Sequence, residues 1–95
     1  MHPDLLDGVR VLDLTNVLAG PFAGYQLALM GAEVVKVEVP GSGDLARNLG
    51  ADRELSEAGL GVSFLAQNAG KRSLTLDLKS PAGKEVFERL VRTPT

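Results

Sequence analysis

The residues able to do chemistry in this chain fall into three groups. The first is Gly20 and Gly24 with Glu38. In dinucleotide sites glycines let the backbone approach a pyrophosphate at a helix N-terminus, and an acidic residue about 20 positions on holds a ribose hydroxyl. Glu38 follows Gly20 by about 18 residues, near that spacing. However, Gly20-Pro21-Phe22-Ala23-Gly24 is not G-x-G-x-x-G, and bulky Leu18 occupies the place of the first glycine. Helix packing on a strand is the better account of Gly24. The second group is Gly70-Lys71-Arg72-Ser73, a Gly-Lys pair like that of a phosphate loop. Position 65 is Leu where that loop needs glycine, and the segment runs into a strand instead of opening a helix. Its basic residues read as solvated, or as facing an acidic neighbour or a ligand phosphate. The third group is Asp13, Asp44, Asp52 and Asp77. Asp13 and Asp77 fall at the polar positions of strands, where a solvated or paired carboxylate is the ordinary reading. The one histidine, His2, lies in a terminus expected to fray, and cysteine is absent. No histidine-based acid and base, thiol nucleophile or metal-ligand set is therefore assembled, and no metal site is expected.

The elements that carry these residues follow from periodicity. Val9–Leu14 alternates apolar and polar and predicts a strand. Pro21, which lacks an N–H that the first helical turn does not use, opens a helix to about Met30, apolar on nearly every side. Such a helix expects cover on more than one face, and Gly31 suits a left-handed stop. Glu33–Glu38 is a second, valine-rich strand, so the three elements form a βαβ unit with an expected right-handed crossover. Residues 40–60 read as an irregular surface excursion holding one short helix, and Ser63–Gln67 as a helical turn. Ser73–Leu78 predicts a third strand, half-buried through Leu74, Leu76 and Leu78. Ser80 then caps a helix that has Pro81 at its first position. Val86, Phe87, Leu90 and Val91 recur along it at helical spacing. Together these elements predict an α/β, Rossmann-like parallel half-sheet in the order β-α-β-loop-β-α. Residues 1–95 form a single partial domain that lacks one customary further strand.

Composition narrows the function classes. Ten Lys and Arg against twelve Asp and Glu give a net charge of −2, and there are three Phe, one Tyr and no Trp. Such a chain has neither the basic surplus nor the rings that nucleic acid demands. Its apolar runs are too short to span a membrane, and its start shows no signal-peptide pattern. A soluble cytoplasmic protein is the expectation.

Read together, three segments carry a family resemblance. They are Leu6–Leu14, then Ala19-Gly20-Pro21-Phe22, then Leu29–Glu38. Pro40-Gly41-Ser42-Gly43-Asp44, Asn68–Ser73 and Leu74–Lys79 leading into Ser80-Pro81-Ala82-Gly83 extend it to nearly the whole chain. In this order the chain resembles the N-terminus of the family III coenzyme A transferases, a superfamily that includes the α-methylacyl-CoA racemases. The resemblance implies a CoA-thioester enzyme, homodimeric when complete, with acyl-CoA and a carboxylic acid as substrates and no covalently bound cofactor. In its transferases an aspartate attacks the acyl carbonyl, an aspartyl-acyl anhydride forms, and CoA leaves as thiolate. Its racemases instead move the α-proton with an Asp and a His. Both sets of catalytic residues belong downstream of the matched region, so this chain is expected to hold none.

What the resemblance places here is one wall of the coenzyme site. Val17, Leu18 and Ala19 match a strand-to-helix loop lying along the pantetheine and thioester. Leu76, Leu78 and Lys79 match a segment lining the adenine and its phosphates. Val39 stands where the family often has an arginine that stacks on adenine, so that stack is lost unless Arg47 replaces it. Three readings follow: part of a CoA transferase, part of a racemase, or a non-catalytic fragment or oligomerisation piece.

Overall fold

The computed structural model describes residues 5–92, so His2 and the final Thr93-Pro94-Thr95 lie outside it. Three strands, β1 (Arg10–Asp13), β2 (Glu33–Glu38) and β3 (Arg72–Thr75), form a parallel sheet in the order β1-β2-β3. Leu12 stands opposite Val35, and Val37 opposite Leu74. The α/β class and parallel sheet expected from the sequence are those observed. As the central strand, β2 is covered on both faces, and only its first residue, Glu33, is exposed. Val34, Val35 and Val37 form the core with Ala32, Ala46 and Phe64.

Helix α1 (Ala19–Leu29) joins β1 to β2. It starts two residues before the expected Pro21, because proline fits anywhere in a first turn whose N–H groups have no intrahelical partner. Gly31, at φ 101°, ends it as expected, and its N–H donates to the Ala28 carbonyl at 3.0 Å. Within the described residues only Pro21 and Gly24 of α1 are buried, and Phe22 is exposed. The cover expected on several faces is therefore not supplied by these residues. The β2-to-β3 connection holds a 3₁₀ turn (Leu45–Asn48), α2 (Arg53–Glu57) and α3 (Val62–Asn68). Within residues 40–60, Asp44 and Ala46 are buried and the flanking residues mostly exposed.

Strand β3 is shorter than the predicted Ser73–Leu78. The ladder of β2 ends at Glu38 opposite Thr75, so Leu76 gains one last hydrogen bond, to the Glu38 carbonyl at 3.0 Å, and then the chain turns. Leu74, Leu76 and Leu78 are half-buried, as the alternation requires. Helix α4 (Pro81–Arg92) starts as the sequence indicates, with Ser80 Oγ accepting the Gly83 N–H at 3.0 Å. Gly83 is buried against the Asp77 carbonyl, where a β-carbon would collide. No helix among the described residues is long and apolar enough to cross a membrane.

Candidate functional site

A parallel sheet of this kind binds ligands in the crevice beyond the carboxyl ends of its strands. Here that crevice is a cavity of about 520 Å³. Leu14 and Asn16 after β1, Val39 after β2, and Leu76 to Lys79 after β3 contribute to its walls. Of the residues expected from the sequence, Val39, Leu76, Leu78 and Lys79 meet in it. Val17, Leu18 and Ala19 do not line it; they lead from Asn16 into α1. Sequence reasoning overlooked Asn16 and Leu14. The signal was available, since both lie in the first strand-to-helix loop of a parallel sheet, where such crevices form.

Lys79 is exposed, and its ammonium has no ion-pair partner among the described residues. Its N–H is held by Asp77 Oδ1 at 3.0 Å. Val39 is 56% exposed and offers the cavity an open apolar patch. Arg47 does not stand in for the missing arginine. Its Nε and second terminal nitrogen each lie 2.7 Å from Glu38, and its guanidinium stacks 3.9 Å over the Phe64 ring. Glu38 is equally committed. Its Oε2 also accepts the Asp44 N–H at 2.7 Å, so a ribose-binding role has no free oxygen to use. The dinucleotide reading fails on that local ground.

Three acidic groups near the strand ends, Asp13, Glu38 and Asp44, are all buried and each paired, and Glu38 itself lines the cavity. Asp13 Oδ2 meets Lys71 Nζ at 2.7 Å, and that ammonium also donates to the Pro21 carbonyl at 2.8 Å and to Asn68 Oδ1 at 2.7 Å. Lys71 is thus a clamp between β1, α1 and α3, not a phosphate ligand. Gly24 packs on this pair, where a β-carbon would sit 2.9 Å from Asp13 Oδ2. That is the helix–strand packing expected of it. Asp44 Oδ2 pairs with Lys36 Nζ at 2.8 Å, the side chains being 0% and 2% exposed. Burial raises the Asp13 carboxyl, but hydrogen bonds from Lys71 and Thr15 and the charge of Lys71 outweigh it, holding the group below the usual carboxylate range. Asp44 follows the same balance with Lys36, Ala46 and Val17 as its donors. In Glu38 the Arg47 hydrogen bond is the largest influence, exceeds the burial penalty, and lowers the carboxyl. That same bond raises Arg47 further above its ordinary value. At Lys71 desolvation wins, and its ammonium is pulled below the ordinary lysine value despite Asp13.

The loop between β1 and α1 is bound to this layer. Val17 has φ 70°, the only positive value among the described non-glycine residues. Its N–H donates to Asp44 Oδ1 at 3.0 Å, and the Thr15 carbonyl accepts Lys36 Nζ at 2.9 Å. Thr15 also binds Asp13 Oδ1, through its N–H at 2.9 Å and through its hydroxyl.

Comparison with known proteins places the chain in a family. The sequence pattern of CoA-transferase family III matches residues 6–94. The chain belongs to that family. Its CoA-transferase relatives include the formyl-CoA:oxalate CoA-transferase of Rhodopseudomonas palustris strain TIE-1, 50% identical over 88 residues, which cover 93% of this chain and 20% of that protein. The succinate–glutarate CoA-transferase of Agrobacterium fabrum is 50% identical over 91 residues, 93% of this chain and 23% of that protein. Among solved structures, a mutant of Rv3272 from Mycobacterium tuberculosis superposes with a TM-score of 0.79 at 44% identity, over 94% of this chain and 23% of that one. A CAIB/BAIF family protein from Brucella suis gives a TM-score of 0.76 at 41% identity, covering 90% and 23%. The chain thus spans about a fifth of the length of the family III CoA-transferases it matches.

Proposed function

We propose that this chain forms the N-terminal wall of a coenzyme A site in an enzyme that moves CoA between carboxylic acids. The observation that carries the reading is the cavity at the strand ends, where Val39, Leu76, Leu78 and Lys79 place an apolar surface beside an unpaired cation. That combination suits an adenine ring with phosphates attached. Lys79 supplies the charge, the two leucines flank the base, and the loop through Val17, Leu18 and Ala19 runs along the pantetheine. Relatives named as CoA-transferases support transfer over α-proton exchange.

Four aspartates of the described residues already have structural tasks. Asp13 and Asp44 are committed to buried lysines, Asp52 caps α2 by accepting the Leu55 N–H, and Asp77 holds its own turn. The family resemblance puts the attacking aspartate of the transferase reaction downstream of the matched region, and the commitments of these four aspartates are consistent with that placement. Homodimer formation and a cytoplasmic location belong to the same reading. Calorimetric titration of the chain with CoA tests it. Binding should occur and weaken about three- to tenfold in Lys79→Ala, as loss of one charge-assisted phosphate contact implies. Incubation with acyl-CoA and an acceptor acid should give no transfer. No CoA binding, or binding indifferent to Lys79, would refute the site, and turnover by the chain alone would refute the placement of the nucleophile.

A further inference from the structure

We propose that Asp44 is the positioning residue of the first strand-to-helix loop: anchored on Lys36, its carboxylate imposes the left-handed turn at Val17 and so sets how Asn16 meets the cavity. The functional weight of this inference rests on the coenzyme-site reading above, whereas its physical content needs no ligand.

A β-branched residue at positive φ is a true outlier, and such a conformation persists only where its surroundings over-determine it. The φ of 70° at Val17 is therefore a cost that something nearby must meet. Three side chains hold the loop, two of them from distant positions and one, Asp13, from its own start. Asp44 Oδ1 accepts the Val17 N–H at 3.0 Å, Lys36 donates to the Thr15 carbonyl at 2.9 Å, and Asp13 binds the Thr15 N–H at 2.9 Å. Of these, only Asp44 touches the strained residue itself, and it does so across 27 positions of sequence.

Asp44 is not free to follow the loop. Its own N–H is held by Glu38 Oε2 at 2.7 Å, its Oδ1 also accepts the Ala46 N–H at 2.9 Å, and its Oδ2 faces Lys36 at 2.8 Å. A rigid acceptor therefore meets a compliant loop, and the loop yields. The next turn of chain is shaped to match, because a β-carbon at Gly20 would collide with the Thr15 side chain. Asn16, immediately before the turn, is exposed and lines the cavity, so the sense of the Val17 backbone decides where its amide is presented.

The test compares alanine with glycine at position 17, which differ only in the β-carbon. At positive φ glycine is favoured, by roughly tenfold in the folding equilibrium. At negative φ alanine is favoured by about two- to fivefold, because glycine gains more freedom in the unfolded chain. In the wild-type background Val17→Gly should therefore melt about 5 °C or more above Val17→Ala. With Lys36→Met and Asp44→Ala together, which leave neither charge buried alone, the order should reverse. With Lys36→Met and Asp44→Asn, which keep an oxygen acceptor, glycine should stay ahead. Glycine no better than alanine in the wild type, or equally ahead in all three backgrounds, overturns the proposal.

Should the alanine background not fold, a through-bond NMR coupling decides instead. It should be seen between the Val17 amide nitrogen and the Asp44 carboxyl carbon, and its absence where sheet couplings are visible overturns the proposal. A CoA titration separates this inference from the one beneath it. Where wild type binds CoA, the alanine background should bind about fivefold or more weakly, as a loop competent for a fraction of the time requires, and the asparagine background about as wild type. Equal binding by all three would overturn the positioning role. No binding by wild type would overturn the coenzyme reading, and the melting order would still decide the loop.

Discussion

Replacing Lys71 by methionine keeps the length of the side chain and removes its charge. The structure makes this severe. The ammonium has three acceptors at 2.7–2.8 Å, and the side chains of Lys71 and Asp13 are 2% and 3% exposed. Removing one partner of a buried pair costs about 3–5 kcal/mol, because the remaining charge stays buried without compensation. A chain of this size has about 5–14 kcal/mol in total, so Lys71→Met should remove about a fifth or more of its stability. Methionine also orphans the Pro21 carbonyl and Asn68 Oδ1, which pushes the cost toward the upper end. The loss should depend on pH in a definite direction. Without Lys71, burial raises the Asp13 carboxyl, the charged form becomes the costly one, and part of the deficit returns as acid protonates it. Adding Asp13→Asn should likewise recover stability, because a neutral amide leaves no buried charge. Urea unfolding followed by circular dichroism, at about pH 7 and about pH 5, measures all of this. A single-variant cost under about 1 kcal/mol, the range of exposed pairs, would refute the reasoning, as would a double variant no better than the single.

Asp13, Glu38 and Asp44 all have folded-state carboxyls lowered below their unfolded values, which are about 3.9 for Asp and 4.3 for Glu. The stability they contribute is therefore complete above about pH 5 and is lost as pH falls through their folded values; a melting temperature unchanged between about pH 7 and pH 3 would contradict this. Gly83→Ala should destabilise by roughly 1–3 kcal/mol despite the better helix propensity of alanine, because its β-carbon meets the Asp77 carbonyl and displaces the Ser80 cap; chemical denaturation decides. If the proposed coenzyme site is correct, Val39→Arg should tighten CoA about two- to fivefold by supplying a guanidinium to stack on the base, and unchanged or weaker binding by titration calorimetry would count against that placement. Breaking the exposed Glu85–Arg89 pair with Glu85→Ala should change stability by less than about 0.5 kcal/mol, and a larger effect would show that α4 is less solvated than it looks.

What the sequence showed depended on how local the cause was. The bounds of β2 were legible, because a valine run between Gly31 and Pro40 has few other options. The start of α4 was legible because Ser80-Pro81 is a self-contained cap. The end of β3 was not, since it depends on where β2 stops, and no pattern within Ser73–Leu78 records that. In the site, Val39, Leu76, Leu78 and Lys79 came from matching a family pattern and meet in one cavity, whereas Asn16 was overlooked although its place in the first strand-to-helix loop pointed to the crevice. Of the charged layer, the sequence allowed a paired Asp13 and an acidic neighbour for Lys71 without matching the two. The layer's contacts join positions as distant as 13 and 71, which no window of sequence encloses. One general signal was present all the same. Lys36 and Glu38 alternate with valines in a strand that had to be the buried centre of a parallel sheet, and a charge there must have a partner.

The same alternation has a consequence for strand alignment. A valine-rich central strand can slide past its neighbours at little cost, since most apolar side chains fit the next groove nearly as well. Here a slip of one residue would turn Lys36 and Glu38 to the opposite face of the sheet. Lys36 would leave Asp44, Glu38 would leave Arg47, and charges now compensated would be buried alone, each at a cost of several kcal/mol. The ion pairs thus act as a key that admits one register of β2 and rejects its neighbours, a task the valines beside them cannot perform.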